Sequence, residues 1–475
     1  MKTKLKLALA GMALIPSLVS SFPSVYPTGT LIYKPEKAWG GYNLIGPSWW
    51  GDASTYMVDM NGKVVKEWKG LLGHSAKILP GGHISGQFGT IKKATAHVLD
   101  WDGNVIWKYD GAYNSHDINR EGNPVGYYTP APNMEPKVKG GRTLLNAQFR
   151  GTKGQKVRPE VMEGGPVEGN FLLEVDWEGN ILWEWDINDH IDQLGLDEVA
   201  REALHGAHRF MSHNGGAAVA AGKSAVDWAH INAVSWVGPN KWYDEGDERF
   251  HPDNILWTSR NTSIIAITSR KTGEIVWKMG PDYDSDPRTR RMGPIIGSHG
   301  AHIIPVGLPG AGNLLVFDNG GWSGVGDAVP GAPHGLGTMR RHYSRVLEVN
   351  PVTLEVVWEY SAEKANHGSV RNPHQFFSPF QSNAQRLPNG NTLITEAAYG
   401  RMFEVTEDLE IVWEFVESKW RNPGGDNPVF RGYRVPYDWV PQLQRPEEVA
   451  VTPPEMKDFR FEGRGEKVAR PVVLK

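Results

Sequence analysis

The chain has 475 residues, among them 55 glycines, 33 prolines and 19 tryptophans, and its formal net charge is −4 at pH 7. That charge gives no electrostatic basis for binding nucleic acid. The chain contains no cysteine, which excludes thiol catalysis, disulfides and cysteine-ligated metal sites. The glycine and proline content suits a fold of many short strands joined by turns.

Residues 1–21 have the features of a secretory signal peptide. Lys2, Lys4 and Lys6 form a positive segment, and the apolar stretch from Leu7 to Val19 is too short to span a bilayer comfortably. We therefore expect a periplasmic or secreted protein with no membrane span after the signal is removed. An uncleaved membrane anchor is the alternative.

Six short runs that are typical of β-strands end in tryptophan. They end at Trp68, Trp107, Trp183, Trp277, Trp358 and Trp413. Each follows a turn-like pair or triplet, such as Asp102-Gly103-Asn104. A repeated strand–turn–strand unit of this kind is typical of β-propeller blades. We predict an all-β, six-bladed β-propeller over residues 22–445, with inserted loops and a C-terminal closing segment. Residues 446–475 would form an extension that packs on it.

Several segments between the repeats have distinct features. Residues 120–140 and 238–253 are predicted to be loops, and one short helix is expected between Asp189 and Leu204. The first repeat, which starts near Tyr42, lacks the earlier part of the unit. Because an unpaired edge strand would expose backbone groups, we predict that residues after Trp413 return to complete the first blade.

Histidines precede the predicted inner strand of four repeats. They are His74, His116, His230 and His302, the last within His299-Gly300-Ala301-His302. When the final repeat is aligned on its Leu-Pro turn, Ser382 stands at the matching position. Equivalent residues of successive inner strands converge on the propeller axis, so we predict that these imidazoles meet there.

Such a ring of imidazoles could bind an anion or a metal, or supply a nucleophile. Alternatively, each histidine could hydrogen-bond the backbone of a neighbouring blade. The sequence has no His-x-x-x-His pair on a predicted helix and no His-Glu motif, which zinc sites often use. We therefore predict no metal and no cofactor.

Five segments carry a resemblance to a known family. They are Asp227–Val234, which contains Asp227-Trp228-Ala229-His230-Ile231-Asn232, then Ser259–Ile267, Thr272–Trp277, Leu314–Gly320, which ends in Phe317-Asp318-Asn319-Gly320, and Gln385–Ile394, which begins with Gln385-Arg386-Leu387-Pro388-Asn389-Gly390. Over about residues 40–445 the chain resembles the bacterial arylsulfotransferases, which are periplasmic six-bladed propellers. The resemblance implies transfer of a sulfuryl group from a phenolic sulfate ester to another phenol, without a nucleotide donor. A funnel histidine would become a sulfohistidine, while other histidines and an arginine hold the sulfate oxygens.

The resemblance assigns roles to particular residues. His230 and His302 match histidines of the family's sulfate site and are the predicted catalytic residues. The predicted substrate-binding residues are His74, His116, Arg260, Asn319 and Arg345. The arginine that the family has after Phe-Asp-Asn-Gly is missing, and Arg345 is the proposed substitute. The family nucleophile is expected near Ser382, so the sequence does not identify it; His367 and His374 lie in the preceding loop.

The predicted partner is therefore a small aromatic sulfate or phenol, and a homodimer is left open. Two other functions remain compatible with the sequence. One is a lyase or hydrolase that acts on a sulfated polysaccharide, and the other is a non-catalytic propeller that binds a ligand. Fold alone does not decide between them.

Overall fold

The computed structural model describes residues 28–47, 54–89, 94–149, 156–157, 166–167, 169–198, 200–201, 227–321, 323–328, 337–339, 341–366, 375–419 and 427–452. The predicted signal peptide and most of the predicted extension lie outside these ranges. Six antiparallel sheets follow one another along the chain, which confirms the six-bladed propeller. Within the described residues, no helix has the length and apolar character needed to cross a membrane.

The strands are short, and successive groups of them along the chain form successive blades. The first is β1 (Gly29–Tyr33); blade 1 then holds β2 (Tyr42–Pro47), β3 (Ser54–Val58) and β4 (Val64–Lys69). Blade 2 holds β5 (Leu71–Leu79), β6 (His83–Phe88), β7 (Thr95–Leu99) and β8 (Val105–Tyr109). Blade 3 holds β9 (Ala112–Arg120), β10 (Thr143–Phe149), the inserted hairpin β11 (Lys156–Val157) and β12 (Pro166–Val167), then β13 (Phe171–Val175) and β14 (Ile181–Asp186).

The second half repeats this layout. Blade 4 holds β15 (Ile231–Trp236), β16 (Ile255–Ser259), β17 (Ile264–Thr268) and β18 (Ile275–Met279). Blade 5 holds β19 (His299–Ile303), β20 (Leu314–Asp318), the inserted hairpin β21 (Ser323–Ala328) and β22 (Gly337–Met339), then β23 (Arg345–Val349) and β24 (Val356–Tyr360). Blade 6 holds β25 (Asn383–Arg386), β26 (Thr392–Glu396), β27 (Arg401–Val405) and β28 (Ile411–Val416), and the last strand is β29 (Val429–Val435).

Helical structure is confined to short pieces in the described residues. They are α1 (Lys241–Asp244), α2 (Pro287–Met292), the helical residues 198, 200 and 201, and single 3₁₀ turns. The predicted loop 238–253 thus contains α1 and the 3₁₀ turn Glu248–Phe250. The segment expected to form one helix begins instead with two 3₁₀ turns, Ile187–Asp189 and Ile191–Gln193, and turns helical at Glu198.

Segments near both ends of the chain close the ring: the return of residues after Trp413 was predicted from the incomplete first repeat, and the addition of β1 to blade 6 was not. The returning strand β29 is the inner strand of blade 1 and pairs with β2, for example Tyr433 with Leu44. At the same time β1 adds a fifth strand to blade 6, where Tyr33 pairs with Trp413. Val451 continues this contact by bridging to Tyr33. In the part of the chain that the structure describes, β2 and β28 are therefore each paired on both sides.

The repeated tryptophans link each blade to the next. Their indole N–H groups donate to a backbone carbonyl in the outer turn of the following blade at 2.8–3.0 Å. The pairs are Trp107 with Trp177, Trp185 with Gly273, Trp277 with Pro351, Trp358 with Glu407 and Trp413 with Met60. Blade 3 uses Trp185 rather than the predicted Trp183. Trp68 packs edge-to-face on Trp101 instead, with ring centroids 5.8 Å apart. The repeated tryptophans thus form contacts between neighbouring blades.

A segment inserted in blade 3, residues 121–141, crosses one end of the axis. Tyr128 stacks on Trp39 beside blade 1, with ring centroids 5.6 Å apart. Thr129 donates to the Val306 carbonyl at 2.6 Å, just after the inner strand of blade 5. Asn123 holds the segment's own backbone, accepting from two N–H groups and donating to two carbonyls. As predicted, this stretch is loop; we call it the plug.

Candidate active site

The inner strands are distorted at the positions of the histidines. In blades 2, 3 and 5 the pairing register shifts at His74, at His116 and just after His299, and in blade 4 it shifts just after His230. His230 itself has a left-handed φ of 51°. Bulges of this kind bend a strand and redirect a side chain, which explains how these residues leave the sheet plane and face the axis.

Four histidines from successive blades meet on the axis; we call His74, His116, His230 and His299 the histidine ring. The ring centroids of His116 and His230 are 4.8 Å apart, and those of His74 and His116 are 6.3 Å apart. Phe430, from the closing strand β29, packs against His74 with centroids 4.3 Å apart. The predicted convergence is thus observed, with His299 rather than His302 as the member from blade 5.

Burial keeps three of these imidazoles neutral near pH 7. It lowers the pKa of His74 to about 4, helped by the charge of Arg431. It lowers the pKa of His116 well below the usual value, with further contributions from His230 and His74. The pKa of His299 is also well below normal, first through burial and then through Arg260. Neutral imidazoles carry a lone pair, so they can accept hydrogen bonds or act as nucleophiles.

His230 is held by a carboxylate. Its Nδ1 lies 2.5 Å from Oδ2 of Asp227, and its backbone N–H donates to Oδ1 of the same side chain at 3.1 Å. Asp227 in turn accepts from the Asn170 side chain at 3.3 Å. The His230 side chain is 17 % exposed, whereas the Asp227 side chain is 3 % exposed. A buried carboxylate that binds Nδ1 fixes the ring orientation and directs Nε2 into the site.

Two of the other ring histidines, His116 and His299, are anchored by neutral groups. Nδ1 of His116 lies 2.6 Å from Oγ of Ser115. Nδ1 of His299 lies 2.8 Å from Oδ1 of Asn319, while its Nε2 accepts the Gln381 backbone N–H at 3.2 Å. Both nitrogens of His299 are therefore engaged, so it is better suited to shaping the site than to attacking a substrate.

Two arginines bring positive charge to the ring. Arg260 follows β16, and its backbone N–H donates to the His230 carbonyl at 3.1 Å. Burial lowers its pKa to about 10, and Asp227 partly opposes that shift. Arg431, on β29, pairs with Asp117 at 3.0 Å and donates to the Asn232 carbonyl. Both guanidinium groups remain charged at neutral pH, which favours an anionic ligand.

A second group of polar residues lies deeper along the axis, between the ring and the plug. His302 belongs to this level: its Nε2 lies 2.8 Å from the Tyr127 hydroxyl, and its Nδ1 lies 2.7 Å from the Gly300 carbonyl. Burial lowers its pKa to about 4. Lys77 donates to Asp117 at 2.8 Å on the same level. His302 therefore connects the propeller to the plug rather than joining the ring.

Two other predicted site residues, Arg345 and Asn319, have internal partners. The Arg345 guanidinium binds Asp318 at 2.7 Å and the Met292 carbonyl at 2.8 Å. These contacts stabilise the segment before β19, whereas a sulfate clamp was expected at this residue. Asn319 orients His299 and donates to the Ser378 and Gln381 carbonyls.

Ser382 is fully buried, and its Oγ accepts the Ala397 N–H at 3.1 Å, so it is an internal hydrogen-bonding residue. His367 and His374, considered as neighbours of the expected nucleophile, lie outside the described residues.

Sequence reasoning missed His299, Asp227 and Arg431. The equivalence of His299 is visible only in the strand pairing: counted back from the last paired residue of each inner strand, His299 stands four residues away, as do His116 and Ser382. The alignment on the Leu-Pro turn failed because the bulges differ in length. Arg431 had no signal, because only ring closure brings β29 to the axis.

The arrangement suits an anionic, transferable group. It offers neutral imidazoles, two cationic side chains and one histidine oriented by a carboxylate. In the described part of the chain, no cluster of histidines and carboxylates has the spacing of a metal site. Fixed cations and N–H donors that face a developing negative charge are the usual means of stabilising such a transition state.

Several solved structures are similar to this chain at low identity. A protein of unknown function from Bacteroides caccae is 13 % identical, with a TM-score of 0.44, covering 83 % of this chain and 98 % of its own. The β-propeller domain of Cps50 (Swd1) from Myceliophteria thermophila is 10 % identical, with a TM-score of 0.37 and coverages of 84 % and 90 %. Virginiamycin B lyase from Staphylococcus aureus is 10 % identical, with a TM-score of 0.33 and coverages of 83 % and 89 %.

No curated protein matches the chain. The family comparison is more specific. The profile of the arylsulfotransferase (ASST) family matches residues 143–423, which is more than half of the chain and includes His230, Arg260 and His299. With its six-bladed propeller and this match, the chain belongs to the arylsulfotransferase (ASST) family.

Proposed function

We propose that this protein transfers a sulfuryl group from a phenolic sulfate ester to a second phenol, with His230 as the nucleophile. The observation that carries the proposal is the contact of 2.5 Å between Nδ1 of His230 and the Asp227 carboxylate, inside a ring of neutral imidazoles. The membership of the chain in the arylsulfotransferase family supports the choice of substrate.

In the proposed first step, Nε2 of His230 attacks the sulfur atom. The bond between sulfur and the phenolic oxygen breaks, the phenolate leaves, and a sulfohistidine remains. In the second step, the oxygen of the acceptor phenol attacks sulfur, the bond between nitrogen and sulfur breaks, and the acceptor's proton passes to solvent. A neutral imidazole is a competent nucleophile, and splitting the transfer into two displacements lowers each barrier.

The neighbouring groups have supporting roles in this proposal. Arg260 is placed to balance the charge of the sulfuryl oxygens. Asp227 holds His230 in one orientation and balances the positive charge that develops on its ring. His116, 4.8 Å away between centroids, completes a wall of neutral rings against which an aromatic substrate can pack.

The test uses purified protein with 4-nitrophenyl sulfate as donor and phenol as acceptor. Release of 4-nitrophenol that depends on phenol, together with formation of phenyl sulfate, is expected. Mass spectrometry of rapidly quenched protein should find the added sulfuryl group on the peptide that contains His230.

His230→Ala should abolish both signals. The matched control is His83→Ala, at the turn between β5 and β6, where the histidine contacts the Pro80 carbonyl; it should retain transfer. Transfer by His230→Ala at the wild-type rate, or a modified peptide from elsewhere, would contradict the assignment.

A further inference from the structure

A polar cavity lies on the axis between the histidine ring and the plug. Its volume is about 20 Å³, and its lining includes Lys77, Asp117, Ser235, Asn383 and Arg431. A water-sized sphere needs roughly 10–15 Å³. The cavity therefore has room for one small ligand.

The charges around this cavity do not cancel. Lys77 and Arg431 contribute two positive charges, and Asp117 is the single carboxylate among the described residues that line it. Asp117 binds both cations, at 2.8 Å and 3.0 Å. Burial and the nearby Arg431 charge lower the pKa of Lys77, although Asp117 opposes the shift. One positive charge thus remains in a buried place, where an uncompensated charge is costly.

Hydrogen-bond donors at the cavity also lack acceptors. Among the described residues, Ser235 Oγ, Asn383 Nδ2 and Arg431 Nε have no hydrogen-bond partner. Ser235 and Asn383 are only 3 % and 2 % exposed. Buried donors normally have a partner, so unpaired ones at one cavity indicate an occupant that accepts hydrogen bonds.

The single carboxylate at the cavity already has its full set of donors. Oδ1 of Asp117 accepts from Lys77 and from the Ile118 N–H, and Oδ2 accepts from Arg431 and from the Val234 N–H. A carboxylate has about four lone-pair directions, so these four donors occupy them. A bound water would have to donate its two protons to other acceptors, such as the Ser235 hydroxyl, whereas an anion needs only donors.

We propose that this cavity binds one small monovalent anion, chloride in ordinary salt solutions, held by Ser235, Asn383 and Arg431. The anion would neutralise the excess positive charge and pair the orphaned donors. The site joins three inner strands, β15, β25 and β29, so its occupant would stabilise the closed ring. This proposal does not depend on sulfuryl transfer.

The first experiment measures the melting temperature of the full chain at constant ionic strength, while sodium gluconate is replaced stepwise by sodium chloride. A ligand that binds only the native state raises the melting temperature in a saturable way. We expect this with chloride and bromide. Equal melting temperatures in gluconate and chloride at every concentration would overturn the proposal and leave a water as the occupant.

Variants connect the effect to the cavity. Asn383→Asp places a carboxylate in the cavity, so it should remove the dependence on chloride. Its control, Asn366→Asp, lies at an exposed turn and should keep it. Ser235→Ala removes one donor and should raise the half-saturating chloride concentration about tenfold. An unchanged chloride response in Ser235→Ala would contradict the assignment, even if Asn383→Asp does not fold.

Crystals grown in sodium bromide locate the anion directly. An anomalous peak within hydrogen-bond distance of Ser235 and Asn383 is expected. A peak at the histidine ring alone would reject the deeper site, and it would do so without bearing on whether His230 carries the sulfuryl group.

Discussion

Replacement of Glu417 by glutamine tests how a buried carboxyl group affects the closure of the propeller. Glu417 follows β28 in blade 6 and is 1 % exposed. Its carboxyl group accepts the hydroxyl of Tyr56, which lies on β3 of blade 1, and the Lys419 N–H at 2.5 Å. Burial raises the pKa of Glu417 to about 7, although these hydrogen bonds oppose the shift.

The magnitude follows from that shift. Moving the pKa from the ordinary 4.5 to about 7 spans roughly 2.5 pH units. At 1.36 kcal/mol per unit this corresponds to about 3 kcal/mol of unfolding free energy. Because the folded-state pKa is raised, the stabilisation is fully present below pH 4.5. This stabilisation is lost as the pH rises through 7, where the buried carboxyl group loses its proton.

Glu417→Gln keeps the shape of the side chain but cannot ionise. We expect wild type and variant to have similar unfolding free energies at pH 4.5, and the variant to be more stable by about 3 kcal/mol at pH 8. Urea unfolding at a series of pH values measures this difference. Buried histidines such as His74, whose pKa is lowered to about 4, act in the opposite direction, because their contribution is lost as the pH falls. They contribute equally to both proteins and cancel in the difference.

The control is Glu178→Gln, at an exposed turn of blade 3, for which the difference from wild type should stay flat across the same range. A difference between wild type and Glu417→Gln that does not change with pH would refute this reasoning. A variant that is less stable than wild type at pH 8 would refute it as well.

Two further predictions concern the site and the contacts between blades. Asp227→Asn should lower kcat by about two to four orders of magnitude and change KM little, because Asp227 positions His230 and does not bind the substrate. Steady-state kinetics over a series of pH values measure kcat and KM. A rise in KM with an unchanged kcat would contradict this prediction. Trp413→Phe should cost about 2 kcal/mol of unfolding free energy, because it removes a buried indole and its hydrogen bond to Met60. Trp358→Phe, at a less buried site, should lower the unfolding free energy by a smaller amount in urea unfolding. Equal decreases for the two variants would contradict the expectation that the contact between Trp413 and Met60 contributes more than the equivalent contact of Trp358.

The family match and the position of His230 were within reach of sequence reasoning. His230 stands in a segment that resembles the arylsulfotransferases, and the family profile covers it. The choice of His299 over His302 as the ring member from blade 5 was not within reach, because it depends on the length of a bulge in β19, where the register shifts between His299 and His302. Bulge length is set by how the strand packs around the axis, and the local sequence carries little information about it.

The predicted role of Arg345 shows a different difficulty. Its position after Phe317-Asp318-Asn319-Gly320 suggested a sulfate clamp, but its guanidinium is occupied by Asp318 at 2.7 Å. Two charged side chains distant in sequence become partners only when β20 and β23 pair. Sequence spacing indicates which cations are available, and pairing between strands decides which of them are already neutralised.

By itself the sequence determined the blade repeat, the family and the need for the chain to return after Trp413, because these depend on local strand and turn patterns and on pairing every edge strand. Only the tertiary structure decided what meets on the axis. Ring closure brings β29 beside β2, which places Phe430 against His74 and joins Arg431 to Asp117. Residues separated by most of the chain thus share one buried site, because six separate strands converge where the blades meet.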